Sequence, residues 1–476
     1  MTPHWKPLAY FALKRVLKGS RLHSHYRYLH TRQHLPASAQ AAEQARLLAD
    51  LCARAIHGVP AYRARFASAR LDPQQLQRNP AALAQLPPLY REQIHEDEPA
   101  FLDSASNLAE LELISTGGTG GSPLRVARDA HAKDWWLAES FVLNTWSGLG
   151  IGVPYFFLWG ASEDIARTQA GFRRLNLQLL HGRRTLNASR MSSRKEVEFL
   201  QQLNSTPRCG YIFGYANELH NLAVRSLQHG PHIERPLKAV IATAEPLTES
   251  MRAIIERAFR CPVYNRYGSR EAGDIASECK YRRGLHVNPL FTYLEVVDDE
   301  GKPLAYGQEG QFLVTNLHNR VMPLIRYAIG DRGVLQAPER CQCGISWPTI
   351  VALTGRVNDW VFLSDGSRLR CSALESVLVK LPALKRFQIH QVSETCLRIR
   401  LSSLDPDYLK HQHEQLADVR KKLNLLSGAP FDVQFEVTDG ELWKTRAGKE
   451  PLITYAPSFK RSALYAAAHT ADASSS

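Results

Sequence analysis

The chain has 476 residues, a formal net charge of +13, 44% hydrophobic residues and 22% charged ones. That length holds two or three domains with a large core, and the ordinary apolar and charged fractions fit a globular chain in water. The lack of any run of eighteen apolar residues excludes a spanning helix. The basic balance comes without a zinc-finger, RNA-binding or homeodomain pattern, so nucleic acid is not an expected partner.

Taken in order, the chain opens with an apolar patch, Pro7–Leu13, followed by Lys14, Arg15 and Lys18. Charge after the patch is the wrong arrangement for a signal peptide. The segment reads as a first helix packed on the body, its basic face allowing at most peripheral membrane contact. Residues 38–70 read as helix with a break at Pro60-Ala61-Tyr62, and 71–105 as short helices punctuated by proline. Leu111–Ile114 and Leu124–Val126 read as strands around a glycine-rich loop. Residues 129–147 form a helix with an aromatic face of Trp135, Trp136, Phe141 and Trp146, a stripe that usually belongs to a core.

From Val153 to Val297 apolar runs alternate with helical patterns. Strands are expected at Val153–Leu158, Gly210–Phe213, Ala239–Thr243 and Pro262–Tyr267, with helices at 163–180, 194–203, 215–229 and 247–260. This alternation predicts α/β architecture, a mixed or parallel sheet with flanking helices. Residues 291–351 are strand-rich, with a hairpin turn at Asp298-Asp299-Glu300-Gly301 and a further strand at Gln311–Thr315. The pattern changes at 356–359. A small α+β stretch follows, with Trp360–Leu363, a turn at Asp365-Gly366, a helix at 372–380, strands at 385–391 and 396–401, a helix at 406–424 and a strand at 432–437. The expected domains are therefore 1–357 and 358–461, with an Ala/Ser-rich tail, 462–476, expected to be disordered.

Chemistry-bearing residues gather in five stretches. The first is Ser115-Thr116-Gly117-Gly118-Thr119-Gly120-Gly121-Ser122-Pro123. Glycines let the backbone approach a ligand, successive N–H groups make an anion nest, and the hydroxyls add donors. A Gly/Ser-rich surface loop would have the same composition. Neither a Walker loop nor a dinucleotide fingerprint is present. The second is Ala244-Glu245-Pro246-Leu247, after a buried strand. The third is Tyr264-Asn265-Arg266-Tyr267-Gly268-Ser269-Arg270-Glu271. The fourth combines Arg326–Gly333 with Gly355–Asp359, and the fifth is Lys444–Lys449. A carboxylate at a strand end, Glu271, suits a hard cation held against phosphate. Asp331 in a glycine-flanked turn suits ribose hydroxyls, and Tyr267 offers a face to a base. Arg356 and Lys449 bring positive charge to spread-out oxygens.

In this order the stretches resemble the adenylate-forming superfamily, in particular its phenylacetate–CoA ligase branch with its capsule-biosynthesis relatives. Thr116–Pro123 is similar to that branch's phosphate loop, Thr243–Leu247 to its Gly-Ala-Glu-Pro-Leu and Tyr267–Glu271 to its Tyr-Gly-x-x-Glu. Arg326–Asp331 is similar to its Arg-Tyr-x-x-Gly-Asp, Gly355–Asp359 to its Gly-Arg-x-x-Asp and Gly448-Lys449 to its terminal Gly-Lys. The resemblance spans roughly residues 40–455. It implies a large N-terminal domain and a small mobile lid, binding ATP and a small carboxylic acid. The acid would be converted to an acyl-adenylate and passed to CoA, or to an amine or hydroxyl acceptor. A pseudo-enzyme that only binds nucleotide is the alternative of a different class.

By the same resemblance Ser115–Gly121 would close over the outer phosphates and Glu271 would hold Mg²⁺. Ala244, Glu245 and Pro246, with Asn265, Arg266, Tyr267, Gly268 and Ser269, would line the adenine slot. Asp331 and Arg356 would bind ribose, and Lys449 would neutralise charge during adenylation. Gly120 and Ser122 depart from the branch's loop by replacing a hydroxyl and a Glu or Lys, and Asn358 replaces its hinge acid. The acid's pocket is expected among 135–146 and 211–245, where Tyr211, Phe213 and Tyr215 add aromatic surface.

Eight cysteines in a chain of this length without a secretory signal do not suggest a disulfide framework. Cys279-x₆-His286 and Cys341-x-Cys343 would make a closed tetrahedral Zn²⁺ set of three thiolates and an imidazole. Members of the resembled branch can carry such a structural zinc. Cys52, Cys209, Cys261, Cys371 and Cys396 show no pairing pattern. No Gly-x-Ser-x-Gly elbow supports a hydrolase. A cytoplasmic location is expected, and a homodimer is compatible with all of this.

Overall fold

In the computed structural model the described residues are 19–115, 124–159, 182–187, 193–356, 360–364, 368–378, 384–403, 412–427, 431–438 and 451–456, together with 10–12, 14–16, 381, 407, 442 and 443. The expected helix 163–180, the turn at Asp365-Gly366 and the 462–476 tail lie outside them. The chain divides into two compact units, the first reaching Leu353 and the second beginning at Thr354.

The first unit starts with α1 (Leu22–Arg32), α2 (Ala37–Gly58), α3 (Pro60–Ala69), α4 (Pro73–Arg78) and α5 (Arg91–Glu96). Pro60 ends α2 and opens α3, because proline tolerates a first turn but not a helix interior. A hairpin of β1 (Glu112–Ser115) and β2 (Arg125–Arg128) precedes α6 (Ala130–Trp146), whose first turn is capped by Asp129 accepting from Ala132 N. The following elements are β3 (Tyr155–Trp159), β4 (Arg183–Asn187), α7 (Ser193–Ser205), β5 (Tyr211–Tyr215), α8 (Ala216–Gln228), β6 (Ala239–Thr243), α9 (Glu249–Phe259) and β7 (Val263–Ser269). The unit's other strands are β8 (Gly273–Glu278), β9 (Leu285–Val287), β10 (Thr292–Val297), β11 (Glu309–Asn316) and β12 (Tyr327–Gln336), and β13 (Thr349–Arg356) begins in it and ends past Leu353.

An 11-stranded sheet runs β10-β11-β12-β13-β9-β8-β7-β6-β5-β3-β4. Its β4-β3-β5-β6-β7 block is parallel, and the direction reverses at the β7–β8 hairpin. The inner parallel strands β3, β5 and β6 are apolar on both faces, as strands covered on both sides must be, whereas the edge strand β4 is polar. Phe156, Leu158, Ile212, Val240, Ala242 and Val263 pack on Phe199, Leu203, Leu219, Leu222, Ile255 and Phe259 of α7, α8 and α9. Their alternates Tyr211, Phe213, Ile241 and Tyr264 form a second core on the opposite face. β8 is a strand that the sequence pattern does not single out, because Gly273 and Asp274 at its start break the apolar run.

The aromatic face of α6 is core. Trp135 lies flat between His318, with ring centroids 3.6 Å apart, and His25, at 4.0 Å. Its indole N–H donates to His131 Nε2 at 3.2 Å. Phe141 packs with Tyr10, Phe11 and Phe291.

The second unit contains β14 (Trp360–Phe362), β15 (Arg368–Arg370), α10 (Cys371–Leu378), β16 (Leu384–Ser393), β17 (Cys396–Ser403), α11 (His413–Ser427), β18 (Asp432–Thr438) and β19 (Ile453–Tyr455). A 4-stranded sheet, β18-β17-β16-β19, packs through Ile389, Leu397, Ile399 and Leu401 on Leu374, Leu378, Val419 and Leu423 of α10 and α11. No helix among the described residues is long and apolar enough to cross a membrane.

Burial pushes His318 down to about 3 and His25 down to about 4, so both rings are neutral in the fold. His318 donates from Nε2 to Leu290 O at 2.7 Å. The unfolded chain takes up protons near the ordinary imidazole value of about 6.5. Their contribution is therefore full above that pH and is lost as pH falls towards 4 and then 3. Urea unfolding should show stability dropping over this window, by a few kcal/mol in all, and the dependence should flatten in His318→Phe. An unchanged slope in that variant would remove the assignment.

Candidate active site

Strand β7 ends at the point where the sheet changes direction, and its last residues form a tight hairpin with β8. A bulge falls between Tyr267 and Gly268. A Cβ on Gly268 would lie 2.5 Å from Gly273 O, so only glycine fits there. Ser269 Oγ accepts from Ala272 N at 3.0 Å and closes the turn that carries Glu271. Asn316 Nδ2 donates to Ala272 O at 2.9 Å and fixes the turn from behind.

The root of the hairpin is held by buried charge. Glu278 of β8 takes Arg252 of α9 in a two-pronged pair, 2.8 and 3.1 Å, and also accepts from Asn265 N at 2.7 Å. Arg266 points inward, 2% exposed, donating to Asn144 Oδ1 at 2.9 Å with Asp274 at 3.4 Å. Arg266 was expected to line a nucleotide slot. Its guanidinium is committed to the interior, so only its main chain remains for a ligand.

Tyr267 and Asp331 come from strands with three others between them in the sheet order. They nonetheless meet, the Tyr267 hydroxyl donating to Asp331 Oδ2 at 2.8 Å. The sheet curls because Ala272, Ile275 and Ala276 of the hairpin share one core with Phe312, Val314, Leu335 and Ile350. Gly330, at φ +87 with open space around it, turns the chain just before Asp331. Glu271 is 6% exposed, yet no hydrogen bond or ion pair to its carboxylate is found among the described residues. Such a group is costly to bury unless a cation joins it, which suits a hard divalent ion.

Ala244 follows β6 with φ +67, a left-handed conformation that costs a residue with a Cβ about 1–2 kcal/mol. The strained corner aims Glu245 at α8, where its Oε2 accepts from Asn217 N at 3.0 Å and caps the helix. Gly355 has φ +116 next to Arg356, the last residue of β13. The Arg356 side chain, Thr116–Gly121 and Lys449 lie outside the described residues, as does the Ser115 side chain at the end of β1.

The second cluster is metal-like. The ligand atoms of Cys279, His286, Cys341 and Cys343 all lie within 4.8 Å of one another. Cys279 Sγ is 3.8 Å from Cys341 Sγ, and Cys343 Sγ is 3.7 Å from His286 Nε2. A tetrahedral Zn²⁺ with Zn–S near 2.3 Å has edges of about 3.8 Å, so the four donors fit it. His286 Nδ1 lies 3.3 Å from Thr349 Oγ1, an orienting contact that leaves Nε2 for a metal. Burial lowers the imidazole to about 4, which keeps it neutral as a ligand must be.

No family model matches the chain. It is 25% identical over 410 residues to a phenylacetate–coenzyme A ligase of Thermus thermophilus, covering 81% of this chain and 86% of that protein. It is also 25% identical over 253 residues to the Staphylococcus aureus protein CapK, 53% of this chain and 54% of that one. Among solved structures, a 2-hydroxyisobutyryl-CoA ligase in the postadenylation state superposes with a TM-score of 0.68 at 16% identity, covering 93% of this chain and 94% of that chain. The fold is therefore that of the adenylate-forming ligases. Within that class, the sequence resembles the phenylacetate–CoA ligases and CapK.

Gly268→Ala should displace the hairpin turn, because the clash is with backbone. A stability loss of about 1–3 kcal/mol by urea unfolding is expected. A variant as stable as the parent would show that the turn is not held as described.

Proposed function

We propose that this protein is an ATP-dependent ligase that adenylates a small carboxylic acid and passes the acyl group to CoA. The observation carrying the reading is the meeting of Tyr267 and Asp331 beside a hairpin that presents a buried carboxylate, Glu271, with no hydrogen-bond or ion-pair partner among the described residues. Asp331 accepts the ribose hydroxyl protons, and the Tyr267 hydroxyl holds its carboxylate in place while the ring offers a face to the base. A carboxylate oxygen of the acid attacks the α-phosphorus, the bond to the bridging oxygen breaks, and pyrophosphate leaves. The CoA thiolate then attacks the acyl carbon and AMP departs with the electron pair of the C–O bond.

Glu271 would hold Mg²⁺, whose charge offsets that of the phosphates when bound. Arg356 would meet the ribose, Thr116–Gly121 the outer phosphates, and Lys449 the charge growing between acid and phosphate. The Cys279/His286/Cys341/Cys343 set would hold a structural zinc, since four protein donors leave no open position. ATP and CoA as substrates imply work in the cytoplasm.

Acid-dependent exchange of labelled pyrophosphate into ATP tests the reading across a panel of acids, with thioester formation read separately. Exchange and thioester with one acid are expected. Exchange without CoA consumption would redirect the second step to an amine or hydroxyl, and bound nucleotide without exchange would leave a binding protein. Lys449→Ala should cut exchange by about 10²–10³ in a folded chain, and full activity would remove its assignment. Metal analysis should find one zinc per chain, falling to near zero with a lowered melting temperature in Cys341→Ser. A metal-free protein with normal stability would dismiss the site.

A further inference from the structure

The first 42 residues hold seven lysines and arginines and no aspartate or glutamate, more than half of the net +13. Their described part is fixed to the body of the first unit. Residues 10–12 and 14–16 are helical, with Tyr10 and Phe11 buried against Phe141 of α6, while Arg15 stands exposed and Val16 is 81% exposed. Gly19 N donates to Arg15 O at 2.9 Å with φ +59, the left-handed stop that ends a helix. Asp134 of α6 then takes the connection, accepting from Ser20 Oγ at 2.8 Å and from Arg21 N at 2.8 Å. These bonds frame a cavity of about 360 Å³, in which three cations, Lys14, Arg21 and Lys133, face the single carboxylate Asp134. No ion pair to the Arg21 guanidinium is found among the described residues. Lys133 has a partly exposed pair with Glu112 at 3.1 Å, the kind that water weakens. The cavity is separate from the nucleotide site. In the β1–β2 hairpin Glu112 lies opposite Arg128 and Ser115 opposite Arg125, so the glycine-rich stretch leaves the hairpin at the end away from Glu112 and Lys133.

We propose that this cavity and the basic segment around it form a docking surface for an anionic phospholipid membrane, with one lipid phosphate seated between Lys14, Arg21 and Lys133. A soluble anion would need the cavity alone. Here the positive charge extends beyond it, to Arg15 and to Arg27 on the exposed face of α1, and an apolar side chain, Val16, stands out beside Arg15. Spread basic charge with an exposed apolar residue matches a plane of phosphates over acyl chains. The segment has no carboxylate of its own to oppose this field. Near such a surface each Lys or Arg strengthens binding by about fivefold, so the contact is peripheral, reversible and sensitive to salt. It makes no demand on the nucleotide site, and the inference stands apart from the ligase reading.

The test is sedimentation of the full chain with phosphatidylcholine vesicles, with and without phosphatidylglycerol. Binding to the anionic vesicles alone is expected, and its loss at high salt. Arg21→Glu should weaken it by about 10- to 30-fold. Arg208→Glu is the matched control. Arg208 is exposed and lies just before Tyr211, whose hydroxyl donates to Gly148 O at 2.7 Å beyond the far end of α6. The 17 residues of that helix put about 25 Å between Arg208 and the cavity. That exceeds the screening length of about 8 Å at physiological salt, so this variant should bind within about twofold of the parent. Should Arg21→Glu fail to fold, Lys14→Gln with Arg21→Gln carries the test, with a loss of about fivefold expected for each charge removed. Equal losses in Arg21→Glu and Arg208→Glu, or equal binding of the parent to neutral and anionic vesicles, overturns the proposal. So does calorimetric binding of inorganic phosphate by a protein that does not sediment with the anionic vesicles.

Discussion

A buried cation, Arg326, holds together the part of the first unit on which the candidate site depends. Its side chain is fully enclosed. It donates to Glu295 at 3.1 Å, to the Ala84 carbonyl at 3.1 Å and to the Gly301 carbonyl at 3.0 Å, with a further bond to the Leu86 carbonyl. Its own backbone is left-handed, φ +53, and its N–H is taken by Thr315 Oγ1 at 2.9 Å. One guanidinium thus ties the N-terminal helical segment, the turn after β10 and the start of β12. Breaking such a buried pair from one side typically costs about 3–5 kcal/mol, because the partner charge is stranded. Its neighbour Tyr327 and, four residues on, Asp331 take their positions from this anchor.

The β7–β8 hairpin is held by the same means on its other flank. Arg252 with Glu278, and Arg266 with Asn144 and Asp274, are enclosed charges whose hydrogen bonds reach from α9 and α6 to the hairpin. Buried charges add less stability than their Coulomb energy suggests, because desolvation offsets most of it. What they do here is geometric. An apolar contact tolerates sliding, whereas a two-pronged carboxylate–guanidinium pair has one good arrangement. Tyr267 and Glu271 sit between these two clamps, so the 2.8 Å contact to Asp331 is made without either strand being free to drift.

Helix α6 links this hairpin to the cysteine cluster. Asn144 reaches Arg266, while Trp146 at the helix end lies edge-on to His286, with centroids 5.8 Å apart, and against Trp347. Glu139, fully buried earlier on the same helix, accepts from Asn288 Nδ2 at 2.6 Å, and burial raises it to about 8, so it is held as the neutral acid. A metal in the Cys₃His set would therefore brace the far end of the helix that supports the hairpin.

By itself, the sequence determined the α/β architecture, because parallel strands buried on both faces must read as apolar runs such as Tyr211–Tyr215 and Ala239–Thr243. It also determined the order of the chemical stretches and the four metal-type ligands, since glycine, carboxylate and thiol positions are visible as residue types. What a guanidinium does is not visible in this way. Arg266 and Arg326 sit in stretches that look like binding motifs, and both are enclosed structural cations. Only the tertiary structure decided this, because an arginine's role depends on which carboxylates and carbonyls the fold brings to it. The same holds for Tyr267 and Asp331, whose contact exists only because the sheet curls around a shared apolar core.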